Sequence, residues 1–183
     1  MFEDERSKRV LLVAHCVLNQ NAKIDRCAYY PGVINEAVEA LLASGVGVIQ
    51  MPCPELLCLG LDRQAETGVA TTVESEDTRV AQRMAEEENQ AVCRALAQSL
   101  VFQVEQYQKN GFEVVGLLGI NGSPTCGIET TWANDRDEQR PGIFIQSLNE
   151  ACRAAGIVLL QRGIRAREPQ RAVVAVRELV TRL

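Results

Sequence analysis

The sequence is poor in aromatic residues, which make up 4% of its 183 positions, and it holds one histidine, His15, and one tryptophan, Trp132. With so few rings, Val, Leu, Ile and Ala must fill the core. Lysine is also scarce: three are present, against sixteen scattered arginines. The net charge is −5 and no dense basic patch occurs. A nucleic acid polymer needs clustered cations on its phosphates, so none is expected as a partner. No stretch approaches the ~18 consecutive apolar residues of a membrane helix, and no membrane partner is expected. The first nine residues are charged and lack the apolar centre of a signal peptide, which points to the cytoplasm. There is no Cys-x-x-Cys, hence no thioredoxin-like motif. Cys53 and Cys58 are separated by four residues, with no second pair to complete a zinc site.

Against these absences stand seven cysteines. Cytosolic thiols stay reduced, and an odd count argues against a full disulfide framework. The cysteines are therefore core fillers, nucleophiles or metal ligands. Apolar residues make up 46% of the chain. The length suits one sizeable core, so residues 1–183 are expected to form a single α/β domain.

Arg9–Ala14 is a short apolar, β-branched run, as expected of a buried parallel strand. Pro31 is expected to open a helix running to Ser44, with Gly45 as its stop. Val46–Met51 reads as a second strand. Leu56–Asp77 has weak periodicity and reads as a long loop. Thr78–Asn110 is the longest helical pattern, charged in its first half, where it faces solvent or a partner subunit; a helix of that length bends or breaks. Phe112–Ile120 reads as the third strand and Asn121–Pro141 as a second long loop. Phe144–Ala155 is a predicted helix, Ile157–Gln161 a fourth strand and Arg171–Leu183 a closing helix. Strands and helices that alternate in this way predict a three-layer α/β domain, Rossmann-like, with a mostly parallel sheet of about four strands and helices on both faces.

Cys16, Cys53 and Cys126 each lie just past one of the first three strands. In an open parallel sheet, residues beyond the carboxyl ends of the strands meet at one edge, where ligands bind. Cys53 sits between Pro52 and Pro54, which stiffen the backbone on both sides. Cys126 sits in Gly122-Ser123-Pro124-Thr125-Cys126-Gly127, where the glycines permit a tight turn and close approach to a bulky cofactor. Free cysteine commonly packs as a small hydrophobe. That bland role suits Cys93 and Cys152, inside predicted helices, and also Cys58; for Cys27 both roles stand. It suits the three loop cysteines poorly. Iron–sulfur clusters are held by thiolates, ordinarily four. Three would leave one iron with an exchangeable position suited to Lewis-acid chemistry.

The blocks His15-Cys16-Val17-Leu18-Asn19-Gln20-Asn21, Cys53-Pro54-Glu55 and Ser123-Pro124-Thr125-Cys126-Gly127, in this order and each at a predicted strand end, resemble the TudS-type 2-thiouracil desulfidase family. The likeness is to a branch with the longer His-Cys-x-Leu-Asn-Gln-Asn opening, and it spans residues 9 to 128, about two thirds of the chain. The resemblance implies a 4Fe-4S cluster on Cys16, Cys53 and Cys126. It also implies removal of sulfur from a thiolated pyrimidine base or nucleotide, with the open iron binding the sulfur, water replacing it and sulfide leaving. By position it implies assisting roles for Glu55 and Ser123. The core family has Cys-Leu-Leu-Gly and a downstream Arg-Tyr-Asp-Gly where this chain has Cys16-Val17-Leu18-Asn19 and Lys23-Ile24-Asp25-Arg26. That difference lies beside the expected site and bears on the identity of the substrate.

Each candidate has a plain alternative. Glu55 is placed to act as general base for water, or to accept hydrogen bonds from turn amides. Ser123 can donate to substrate or to a cluster sulfide, or serve a Ser-Pro turn. Asn19, Asn21 and Asp25 are candidate substrate-binding residues; the latter two could equally cap the segment near Pro31. Trp132 can stack on a base or anchor its loop. Glu129 and Arg136 read as exposed charges. Two other functions use the same cysteines: a non-catalytic iron–sulfur or redox sensor, and a cluster-free thiol enzyme. The latter needs an activating base, for which the sole histidine candidate is His15.

Overall fold

Residues 2–65, 68 and 71–181 are described by the computed structural model. In chain order the elements are β1 (Arg9–Val13), α1 (His15–Leu18), α2 (Asn35–Ala43), β2 (Gly47–Gln50), α3 (Pro54–Leu59), α4 (Val73–Met84), α5 (Glu87–Lys109), β3 (Glu113–Ile120), β4 (Thr131–Ala133), β5 (Arg136–Glu138), α6 (Ile143–Ala154), β6 (Gln161–Ile164) and α7 (Pro169–Val180). A 3-10 turn at Gln20–Ala22 follows α1.

Four strands form a parallel sheet in the order β2-β1-β3-β6, and β4 and β5 form a separate antiparallel hairpin. β1 and β3 are central, and their apolar sequences are buried on both faces. From β1 the chain crosses to β2 through α2; from β2 it passes β1 and reaches β3 through α5, then goes on to β6 through α6. Right-handed crossovers in opposite directions put α2 on one face and α5 and α6 on the other. The packing agrees: α5 lies on α6, α2 on α7, and α5 and α7 both touch β3. The result is the Rossmann-like three-layer α/β arrangement expected from the sequence. The direction of winding changes between β1 and β3, and the crevice at their carboxyl ends is the natural ligand position.

One cluster of buried apolar residues runs from β1 to α7. Leu11, Leu12, Leu117 and Leu118 of the sheet belong to it, together with Cys93, Ala97 and Leu100 of α5 and Phe144, Ile145 and Cys152 of α6. Cys93 and Cys152 are thus packing residues. Phe144 is fully buried, and its truncation to Ala would cost about 3–5 kcal/mol. The register of β1 on β3 shifts between Val10 and Leu11, a bulge that leaves Gly116 at φ 152°. A Cβ there would strike the Leu160 carbonyl, so only glycine lets β6 approach. No helix among the described residues is long and apolar enough to cross a membrane.

Several boundaries differ from expectation. The helix expected from Pro31 begins at Asn35, because backbone groups before it bond the first loop: Gln20 N donates to Gly32 O (2.6 Å) and Ile34 N to Val17 O (3.0 Å). The expected loop Leu56–Asp77 contains the rest of α3 and the start of α4; its residues 66–67 and 69–70 lie outside the described residues. Pro54 opens α3 in its first turn, and a reciprocal Thr72–Ser75 capping box opens α4. The long helical pattern breaks at Ala85–Glu86, where Glu86 is extended (φ −64°, ψ 140°). The second expected loop carries the β4–β5 hairpin, turned by Asn134 and Asp135 at φ 51° and 59°.

The fourth strand is Gln161–Ile164 and not Ile157–Gln161. Ile157 N still bonds Cys152 O as the exit of α6, Val158 is 93% exposed, and the chain first meets β3 at Leu160, whose carbonyl accepts Leu117 N (2.8 Å). The closing helix starts at Pro169; residues 182–183 lie outside the described residues. Glu129, expected to be an idle charge, accepts the Gly163 N–H of edge strand β6 at 3.0 Å.

Candidate active site

The three strand-end cysteines meet. Cys16 on α1, Cys53 before α3 and Cys126 after β3 all line one cavity of about 280 Å³ at the carboxyl edge of the sheet. Each is placed by local chemistry. Gln20 Nε2 donates to Cys16 O (2.5 Å), closing the turn behind α1. Cys53 is extended (φ −89°, ψ 106°), as a residue before proline prefers, and its carbonyl accepts Leu57 N at 3.2 Å. Ser123 Oγ accepts Cys126 N (3.0 Å) and Thr125 N (3.2 Å), so the Ser-Pro turn fixes the Cys126 backbone. Gly127 closes that turn with its N–H on Ser123 O (3.1 Å), where a Cβ would run into the Thr130 carbonyl.

Glu55 and Ser123 line the same cavity, and Ser123 Oγ donates to Glu55 Oε1 at 3.4 Å. The other carboxylate oxygen, Oε2, accepts Arg63 Nε at 3.3 Å in an ion pair whose side chains are 14% and 1% exposed. With both oxygens engaged, the Glu55 carboxylate has a defined orientation.

Burial raises the thiols. Cys16 and Cys126 titrate above the ordinary range, Cys126 far above it, and Cys53 is pushed up to about 12. After burial, the nearby negative groups matter: Glu55 acts on Cys53, and Cys53, Glu55 and Cys16 all act on Cys126. These thiols are near enough that charging one opposes charging the next. Left alone they stay protonated at neutral pH; a cationic group among them would favour all three thiolates. Among the described residues, no group of three or more His, Cys, Asp and Glu side chains is arranged to hold a metal ion.

The remaining expected residues have other positions. Asn19, Asn21 and Asp25 do not line the cavity. Asn19 Oδ1 caps the 3-10 turn by accepting Asn21 N at 3.1 Å, Asn21 is exposed, and exposed Asp25 pairs with Arg26 at 3.5 Å. His15 lines a separate cavity, with a ring nitrogen 2.7 Å from Gln50 Nε2 and the other 3.5 Å from Asn19 Nδ2. Trp132 anchors its hairpin to α4, its Nε1 donating to Thr78 Oγ1 at 2.9 Å, and its side chain also lines the cavity.

Several cavity residues are not marked out by the sequence, and Cys27 is one whose role the sequence leaves open. Cys27 is a fourth thiol on the cavity, raised to about 11 chiefly by burial. Lys23 lines it too and favours the charged forms of Cys16 and Asp77. Asp77 is pushed up to about 7, first by burial and then by the charge of Glu55. Arg63 is 1% exposed and donates to Cys53 Sγ at 3.8 Å. These residues stand in segments without a motif; the one usable signal was an arginine amid the turn residues that follow α3.

Fold and site together define a class: a Rossmann-like α/β domain with a cysteine-lined cavity at the switch point of its sheet. The chain is 35% identical over 123 residues to the uncharacterized protein MJ0003 of Methanocaldococcus jannaschii, a match covering 67% of this chain and 70% of that protein. The chain belongs to the family of that protein. No family model and no solved structure matches it.

Proposed function

We propose that this protein is a 4Fe-4S-dependent desulfidase, an enzyme of the TudS type, which hydrolytically removes sulfur from a thiolated pyrimidine base or nucleotide. The observation that carries the reading is the meeting of Cys16, Cys53 and Cys126, from three separate loops, on one cavity with Glu55 and Ser123. A cubane cluster takes its thiolates on separate corners, so its ligands stand apart around a volume and need not gather at a point as for a single ion. The donor set fits: three thiols, a glycine-permitted turn at Cys126 and a buried guanidinium on Cys53 Sγ. When bound, the cluster would supply a Lewis-acidic iron for the substrate's sulfur.

The chain's own residues supply the rest. The reaction exchanges C=S for C=O: water adds its oxygen to the ring carbon, the C–S bond breaks, and sulfide leaves with the protons, with no net oxidation. Glu55, held by Ser123 and Arg63, is placed to take the proton from water at a carboxylate oxygen, a role worth about 10²–10⁴-fold. Trp132 offers an aromatic face for a pyrimidine, a stacking contact of about 1–3 kcal/mol. A cluster-free thiol enzyme is disfavoured because His15 points its ring at Gln50 and Asn19 and lines another cavity. An open-iron cluster needs a reducing compartment, which assigns the protein to the cytoplasm.

The test is iron and acid-labile sulfide per chain after reconstitution without oxygen, followed by sulfide release from thiolated pyrimidines. About four of each per chain and substrate-dependent sulfide support the proposal. A chain that takes up no iron refutes it; a loaded chain that releases no sulfide leaves a cluster protein without this activity.

A further inference from the structure

Among the described residues Arg63 is the largest side chain that is fully buried. A buried guanidinium is tolerated only when its N–H groups find partners. Nη1 donates to Gly60 O (2.6 Å) and Leu61 O (3.0 Å), and Nη2 to Ala22 O (2.5 Å) and Cys53 Sγ (3.8 Å). Nε donates to Glu55 Oε2 (3.3 Å). The backbone sits at φ 55°, a left-handed conformation that a non-glycine residue seldom adopts, and its carbonyl accepts Arg79 Nη1. An unusual backbone held in place by so many bonds points to a site that needs it.

We propose that Arg63 is a positioning residue of the cysteine site, tying the Cys16 loop to the Cys53 loop and holding a fixed positive charge against Cys53 Sγ and Glu55. The inference rests on the cluster reading above. Ala22 ends the turn that follows Cys16, so the Nη2 bond to its carbonyl spans the two ligand loops. The same nitrogen lies on the Cys53 sulfur. Hydrogen bonds to sulfur and nearby charge set a cluster's reduction potential. A buried cation stabilises the more negative, reduced form and holds the potential up. Lysine would keep the charge without the fork, and glutamine would keep neither.

The experiment compares the full chain with Arg63→Lys and Arg63→Gln, all reconstituted without oxygen. Iron per chain, the cluster's midpoint potential and circular dichroism are the readouts. Arg63→Lys keeps the charge and loses the bonds between the loops, so it is expected to hold at least twofold less iron than wild type, with a similar potential in the cluster that remains. Arg63→Gln is expected to lose at least as much iron and to hold its remaining cluster at a more negative potential. Wild-type iron in both variants, or the same potential in both, overturns the proposal. So does loss of the native circular dichroism from both variants, since a purely architectural arginine gives that result. A wild-type chain without iron is a separate outcome, seen before any substitution, and it overturns the cluster reading and this inference together.

Discussion

The Ser123 hydroxyl lies 3.4 Å from Glu55 Oε1 while its oxygen accepts the amides of Thr125 and Cys126. One small side chain thus joins the carboxylate beside Cys53 to the backbone of Cys126. Ser123→Ala releases both ends. It is expected to lower stability by about 1 kcal/mol and sulfide release by tenfold or more, with Ser123→Thr retaining most of each. Denaturant midpoints and initial rates check this, and wild-type values for Ser123→Ala in both would remove Ser123 from the site.

The cysteines divide sharply. Cys16→Ala, Cys53→Ala and Cys126→Ala are each expected to abolish most iron uptake, whereas Cys27→Ala keeps it even though Cys27 lines the same cavity. Elemental analysis of the four variants decides the matter. Equal loss in Cys27→Ala and Cys53→Ala would make the ligand set four.

Asp77 gives a pH prediction. Its folded value is about 7, above the ordinary 3.8. Between those values the folded chain holds a proton that the unfolded chain has lost, so stability falls as pH rises through this window and stays lower above it. Asp77→Asn removes the effect. The variant is expected to be more stable than wild type by on the order of 1–2 kcal/mol at pH 8, after allowance for solvent screening, and equal to it near pH 4. Denaturation at the two pH values provides the check; a gain of the same size at both would refute the assignment.

Thr125 Oγ1 is buried without a hydrogen-bond partner among the described residues. Thr125→Val keeps the shape and removes an uncompensated hydroxyl. The variant is expected to gain about 1 kcal/mol. A lower melting temperature than wild type would mean that the hydroxyl is satisfied in solution.

The strands β1 and β3 were legible because Arg9–Val13 and Glu113–Ile120 are short, β-branched apolar runs of the kind that a buried parallel sheet takes up. Cys16, Cys53 and Cys126 were legible for the same reason, since strand ends mark the ligand edge. β6 was misplaced because its apolar neighbour Ile157–Leu160 looks more strand-like than Gln-Arg-Gly-Ile, whose pairing depends on tertiary contact with β3. α3 and α4 were hidden in a polar stretch, although Pro54 and the Thr72–Ser75 pair were start signals. Lys23 and Asp77 carry no local signal, and Arg63 only its place amid the turn residues after α3: their importance lies in which loops lie beside them. Asn19 had the residue type for binding, yet its oxygen is used on its own turn.

The bond from Gly163 N to Glu129 has a meaning for the molecule's behaviour among its own kind. An unpaired outer strand offers amides on which a foreign strand can align, the usual beginning of sheet-to-sheet aggregation. On β6 the outward amide of Gly163 is already taken, and the group that takes it is a carboxylate. An incoming strand would have to displace that bond and approach a negative charge. The protein therefore carries on this flank a built-in deterrent to fibre growth, supplied by a residue whose sequence context suggested no purpose.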